Sequence, residues 1–310
     1  MEVQNPLSPA KSRKRWIPGS WQLWVLLAPV LVHFLIFNYL PMYGIQIAFR
    51  DYKAVFGITG SQWVGFKNFT DFFNSYYFGR LLGNTFLLNI YGLLWSFPIP
   101  IILAIFINQI DNKLFKKFIQ TTIYIPHFIS TVVMVGMLYL FLSPTSGIVN
   151  KFILMAGGTP VYFMAEPGWF RTLFISTDIW QHAGWSTILY IATLTGIDPE
   201  LYEAATVDGA TKTQKIWHID IPHLIPVAIM ILILNCGRLL VSNTDKALLM
   251  KNASNSVRAD IIGVYVYEMG LGRAQFSFTA AIGLFTNVIN FFTILLVNSI
   301  SKKLSDTSLF

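Results

Sequence analysis

The ionisable and amide side chains of most interest in this sequence sit in apolar surroundings. Within the hydrophobic run from Leu173 to Leu194, Asp178 and His182 stand four residues apart, on one face of a helix, with Gln181 beside them. Asn235 and Arg238 interrupt a second run, Leu224 to Leu240. Ionisable groups at such positions are costly and mark a path for a polar solute. Two readings follow. Asp178 and Arg238 form an ion pair that neutralises both, or Asp178, Gln181, His182 and Arg238 face a shared cavity and hydrogen-bond a solute, with Trp180 or Trp185 as a stacking face. Asn89, Asn235, Asn287 and Asn290 read equally well as hydrogen-bonding glue between helices.

Bond-making chemistry finds no support. The histidines, His33, His127, His182, His218 and His223, show no H-E-x-x-H or paired metal spacing, and no G-x-S-x-G elbow occurs. The string "GATKT" at Gly209–Thr213 has Thr211 where a phosphate loop needs its second glycine. Cys236 is the only cysteine, which excludes a disulfide framework and a cysteine metal site. The chain is expected to bind no metal or cofactor.

Membrane helices are expected to carry these residues. With 54% hydrophobic residues and a mean hydropathy of +0.56, the chain is too apolar for a soluble core. A helix needs roughly 20 apolar residues to cross the hydrocarbon. Six segments qualify: Trp21 to Leu40, Asn84 to Ile110, Ile123 to Leu142, Leu173 to Leu194, Leu224 to Leu240 and Phe276 to Ile300. The first is expected to remain as a span, being too long for a signal-peptide core and followed by no small-residue cleavage site. Pro98, Pro100 and Pro126 predict kinks in the second and third. The fold class is thus an all-α, six-span bundle, residues 21–310 after a basic tail at 1–20.

A net charge of +7 raises the question of nucleic acid, yet the basic residues form no aromatic-interleaved face. They cluster at span ends: "KSRKRW" before the first, "DNKLFKK" after the second, Lys212 and Lys215 after the fourth, "SKKL" after the sixth. The positive-inside rule then places both termini in the cytoplasm. Arg50, Lys53, Lys151, Lys246, Lys251 and Arg258 fall in longer loops on the opposite side, long enough to cap the bundle or dock another protein.

One cytoplasmic connection, residues 196–222, is too structured for a plain linker. Asp198 stands at an N-cap and Pro199 at the first helical position, and Gly209 can end that helix. Thr211 with Gln214 makes a capping box for a second helix running toward Pro222. The small residues Ala204, Ala205, Gly209 and Ala210 permit close approach by another backbone, while Glu203, Asp208, Lys212 and Lys215 stay available to a partner.

This stretch resembles the EAA loop of ABC-importer permeases: E-A-A, three residues, G, nine residues, I, one residue, L, P. Glu203, Ala204, Ala205, Gly209, Ile219 and Pro222 are in register, with Asp208 preceding the glycine and Ile221 in place of leucine. "WVGFKNFTDFF" followed by Asn84 and Thr85 is similar to carbohydrate-importer permeases, and "YLPMYGIQIAFRDYK" resembles their polysaccharide and oligosaccharide branch. The resemblance implies a type I importer bundle with core 80–300, in a bacterial plasma membrane. It implies a second homologous permease, a dimeric ATPase that uses ATP with Mg and docks on the loop, and an extracytoplasmic sugar-binding protein. A non-sugar cargo, or a self-contained channel or ion-coupled transporter, is the alternative.

Overall fold

A computed structural model of the chain describes residues 21–305; the tail expected at 1–20 lies outside them. The chain divides into two units at Gln46 and Ile47. The first holds α1 (Trp21–Phe34), which runs on through a π turn, Leu35–Tyr39.

The second unit opens with a two-stranded antiparallel ribbon, β1 (Arg50–Asp51) and β2 (Gln62–Trp63), enclosing α2 (Gly57–Gly60). The Arg50 guanidinium ties it shut by donating to the Ser61 carbonyl at 2.8 Å. After α3 (Lys67–Phe73) come α4 (Phe78–Ser96) and α5 (Pro98–Asn108), one apolar rod broken at Phe97. Pro98 causes the break, because its ring crowds the preceding turn and it has no N–H to give.

The run expected as one span from Ile123 to Leu142 is two helices instead. α6 (Lys113–Tyr124), with a 3-10 turn at Ile125–Phe128, meets α7 (Thr131–Phe141) at a 97° bend. Pro126 withdraws a donor, Ile129 leaves the helix in an extended conformation, and Ser130 restarts it by accepting from the Val133 N–H.

The segment that follows contains α8 (Ile148–Met155) and leads into α9 (Pro167–Thr195), 29 residues long. The connection beyond α9 is α10 (Pro199–Val207), a turn at Gly209, α11 (Lys212–Lys215), a π turn at Ile216–Asp220, and α12 (Ile221–Cys236). Three short helices, α13 (Thr244–Met250), α14 (Ser256–Ala259) and α15 (Ile262–Tyr267), precede the last rod, α16 (Phe276–Ser305).

Among the described residues, four helical stretches are long and apolar enough to cross a membrane: Leu23–Phe49, Phe78–Asn108, Lys212–Cys236 and Phe276–Lys303; the bent pair would make a fifth. α9 spans about 43 Å at 1.5 Å per residue, so it too can cross, but Arg171, Asp178, Gln181 and His182 dilute its apolar character.

Apolar packing occurs in three clusters. One joins α7, α9, α13 and α15 through Leu138, Phe170, Phe174, Ala247 and Val264; a second joins α5, α9 and α12 through Ile107, Tyr190, Leu194 and Leu224. The third sets Phe72 and Leu81 against Tyr265 and Ile282. The loops expected to be turn-rich are built on buried amides. Asn150 donates to the carbonyls of Leu142, Ser143 and Val161, satisfying backbone acceptors on both sides of α8.

A polar cavity and a capped elbow as the candidate functional site

A cavity of about 320 Å³ opens between α4, α9 and the end of α12, and its lining includes Asn89, Ser96, Asp178, His182, Ser186, Asn235 and Arg238. A second hollow of about 430 Å³ shares Ser96, Phe97, Ser186 and Asn235 with it and reaches Trp185. Four of the six residues expected on a solute path, Asp178, His182, Asn235 and Arg238, therefore line the first cavity, and a fifth, Trp185, lines the second. Gln181 does not: its amide is buried and donates to the Ile129 carbonyl at 2.6 Å, closing the backbone left open by the bend before α7. Trp180 is exposed on the outer surface, and Trp185 stacks flat on His127 at 4.4 Å.

The expected ion pair between Asp178 and Arg238 is absent. Asp178 Oδ1 lies 3.6 Å from Lys246 Nζ and 3.4 Å from His182 Nδ1. Arg238 falls beyond the C-terminus of α12, where the chain turns, and stays exposed with no carboxylate partner among the described residues. Lys246, expected in a solvated loop, is 1% exposed; it donates to the Phe174 carbonyl at 2.8 Å and lies over the Phe174 ring. Nothing local in "SNTDKALLM" announces that reach across 72 residues. The Asn amides behave as interhelical glue at two of the expected positions: Asn89 donates to the Leu239 carbonyl, and Asn290 accepts from the Leu240 N–H.

The elbow forms as its residues direct. Asp198 accepts from the Glu200 N–H at 3.0 Å, Pro199 opens α10, and Gly209 adopts φ +74 where an L side chain would be strained. Thr211 and Gln214 exchange both capping-box bonds, and Lys215 Nζ donates to Thr206 Oγ1 at 2.6 Å across the angle. Glu203, Ala204, Asp208 and Gly209 are exposed and Ala205 is half-buried; a Cβ added at Gly209 would meet nothing within 4 Å. Val207, 88% exposed, adds an apolar knob. Ile219 turns the other way and packs into the cluster of α5, α9 and α12, while Pro222 starts α12 after the π turn.

The residue missed from sequence is Asp220. It is fully buried, with Tyr202 Oη donating to Oδ1 at 2.5 Å and Gln109 Nε2 donating to Oδ2 at 3.0 Å. Burial, and then the hydrogen bond and charge of Asp220, hold the Tyr202 phenol well above its usual range, so it stays a donor. Among the described residues no group of three or more His, Cys, Asp or Glu is placed to hold a metal ion.

Apolar rods around a polar cavity, with a capped, exposed elbow at one connection, are the architecture of a membrane-embedded helical protein. The "Binding-protein-dependent transport system inner membrane component" family matches residues 77–306, and the chain belongs to it. It is 41% identical over 93% of its length to the polygalacturonan/rhamnogalacturonan transport system permease protein YteP of Bacillus subtilis (strain 168), covering 90% of that protein. It is 40% identical over 97% of its length to protein LplB of the same organism, covering 93% of it. Among solved structures, a chain of a bacterial ABC transporter involved in the import of the acidic polysaccharide alginate superposes with a TM-score of 0.85 at 38% identity, over 92% of this chain and 96% of that one.

Proposed function

We propose that this chain is the membrane-spanning permease subunit of an ATP-driven carbohydrate importer and that its cargo is an acidic oligosaccharide. The observation that carries this reading is the cavity lined by Asp178, His182, Asn235 and Arg238, in which the Arg238 guanidinium pairs with no carboxylate among the described residues. A guanidinium fork suits the carboxylate of a uronate, and the amide and imidazole suit hydroxyls. Acidic polymers recur in the names of relatives, the polygalacturonan permease and the alginate importer.

In this reading α9 is the fourth of six spans, both termini are cytoplasmic, and a second permease completes the path. The elbow at Glu203–Gly209 seats a dimeric ATPase that hydrolyses ATP with Mg, so the chain itself is not catalytic. An extracytoplasmic protein delivers the sugar, as in the alginate transporter solved with its pentasaccharide-bound periplasmic protein. Closure of the ATPase pair moves the elbow and alternates access to the cavity.

The test is uptake of labelled oligogalacturonate by the reconstituted complex. Arg238→Ala is expected to reduce uptake on the order of tenfold, the loss of one charge-assisted hydrogen bond, at an unchanged amount of assembled complex. Arg238→Lys should keep part of the activity. Equal losses of uptake and of assembled complex would make Arg238 structural, and unchanged uptake would remove the acidic cargo.

A further inference from the structure

Three elements meet at one carboxylate. Tyr202 lies on α10, the helix bearing the exposed docking residues; Asp220 ends the π turn between the elbow and α12; Gln109 caps the C-terminus of α5. Asp220 is 0% exposed and forms no ion pair among the described residues, so its two oxygens depend on the Tyr202 hydroxyl and the Gln109 amide. A buried acceptor that loses its donor costs more than the bond contributes, which makes this junction all-or-none.

The surroundings favour a mechanical role. Tyr202 and Ile219 pack into the same apolar cluster as Ile107, Ile197 and Leu224, but such contacts are non-directional and allow α10 to slide. The two hydrogen bonds are directional and fix α10 against both α5 and α12. The backbone is also unusual here. Pro222 cannot donate to the His218 carbonyl, and the helix widens to a π turn over Ile216–Asp220, where the Ile221 N–H reaches back to Ile216.

We infer that Asp220 is the positioning residue that transmits displacement of the elbow to α5 and α12, so that the elbow and the two cavity-flanking rods move as one lever. This rests on the reading of the elbow as the ATPase seat. Tyr202→Phe deletes only the hydroxyl, and Asp220→Asn keeps the shape while removing the charge.

The experiment uses the complex purified through a tag on this chain, in lipid nanodiscs, with Cys236→Ser to remove the native thiol and Ser186→Cys as a reporter in the cavity wall. Labelling of that cysteine by a membrane-impermeant maleimide is measured with and without Mg, ATP and vanadate, which traps the ATPase pair closed. The parent complex should show a nucleotide-dependent change in labelling. Tyr202→Phe and Asp220→Asn should each retain the ATPase at the parent ratio yet shrink that change on the order of tenfold. A full response in both variants would overturn the proposal. Loss of the ATPase from the variants would also overturn it, by showing that Asp220 only shapes the docking surface. Absence of the ATPase from the parent complex would instead remove the docking reading, and the transmission role with it.

Discussion

Burying the Lys246 ammonium requires a counter-charge, and Asp178 supplies it from the cavity wall. The pair is therefore a structural lock on α13 that also neutralises a carboxylate in the cavity lining. Asp178→Asn should keep an acceptor oxygen but leave the ammonium without its counter-charge, lowering stability by about 2 kcal/mol; the cost stays below that of a dry pair because Asp178 keeps 36% of its side chain exposed. Lys246→Met in the same chain should restore the melting temperature of the purified complex, since an apolar side chain needs no partner. Failure of the double variant to recover would show that Asp178 stabilises through another contact. Side-chain spacing along one helix was legible in the sequence, which is why Asp178 and His182 were found together. The identity of the cation was not, because Arg238 and Lys246 differ only in how the chain turns after Cys236, and no local pattern encodes that turn.

At the scale of elements, the close approach of α9 to α6 is the tightest constraint. A Cβ on Gly184 would lie 2.0 Å from the Ile123 carbonyl oxygen and 2.6 Å from its carbon, both backbone atoms that no rotamer can move. Gly184→Ala should cost roughly 1–3 kcal/mol, read as lost monodisperse protein in mild detergent, whereas Gly283→Ala, with nothing within 4 Å, should change stability by less than about 0.5 kcal/mol. The elbow was readable in advance because caps and turns are local: Asp198, Gly209, Thr211 and Gln214 each act within three or four residues. The bend at Ile129 and Ser130 was not. Pro126 announced a kink, but its 97° depends on Gln181 arriving from α9 to satisfy the Ile129 carbonyl.

Across the whole molecule, the connections between rods are held by charge as well as by apolar contact. Asp260 pairs with Arg80 at 2.6 Å and with Lys251 at 2.8 Å, and Lys251 also reaches Glu268 at 2.5 Å, tying the start of α4 to the segments around α14 and α15. Burial opposes the Lys251 charge, but the hydrogen bonds and charges of Asp260 and Glu268 outweigh it and raise its pKa. A raised value means that this stabilisation is complete below the ordinary lysine value of 10.5 and is lost only as pH climbs through the folded value. The Lys251 contribution should thus stay flat over roughly pH 6 to 9, and Lys251→Met should shift the unfolding midpoint equally at both ends of that range. A pH-dependent shift would assign the network to another titrating group.

The proposed function requires this chain to carry solute only as one part of a complex driven by an ATPase seated on the elbow. Quantitative co-purification from source membranes, with a tag on this chain and Gly209→Asp as the comparison, measures that dependence. An ATPase subunit should accompany the parent chain in fixed ratio and be lost or uncoupled in the variant, since bulk and charge at φ +74 disturb the exposed notch. A parent chain that elutes without any ATPase under gentle extraction would contradict the claim.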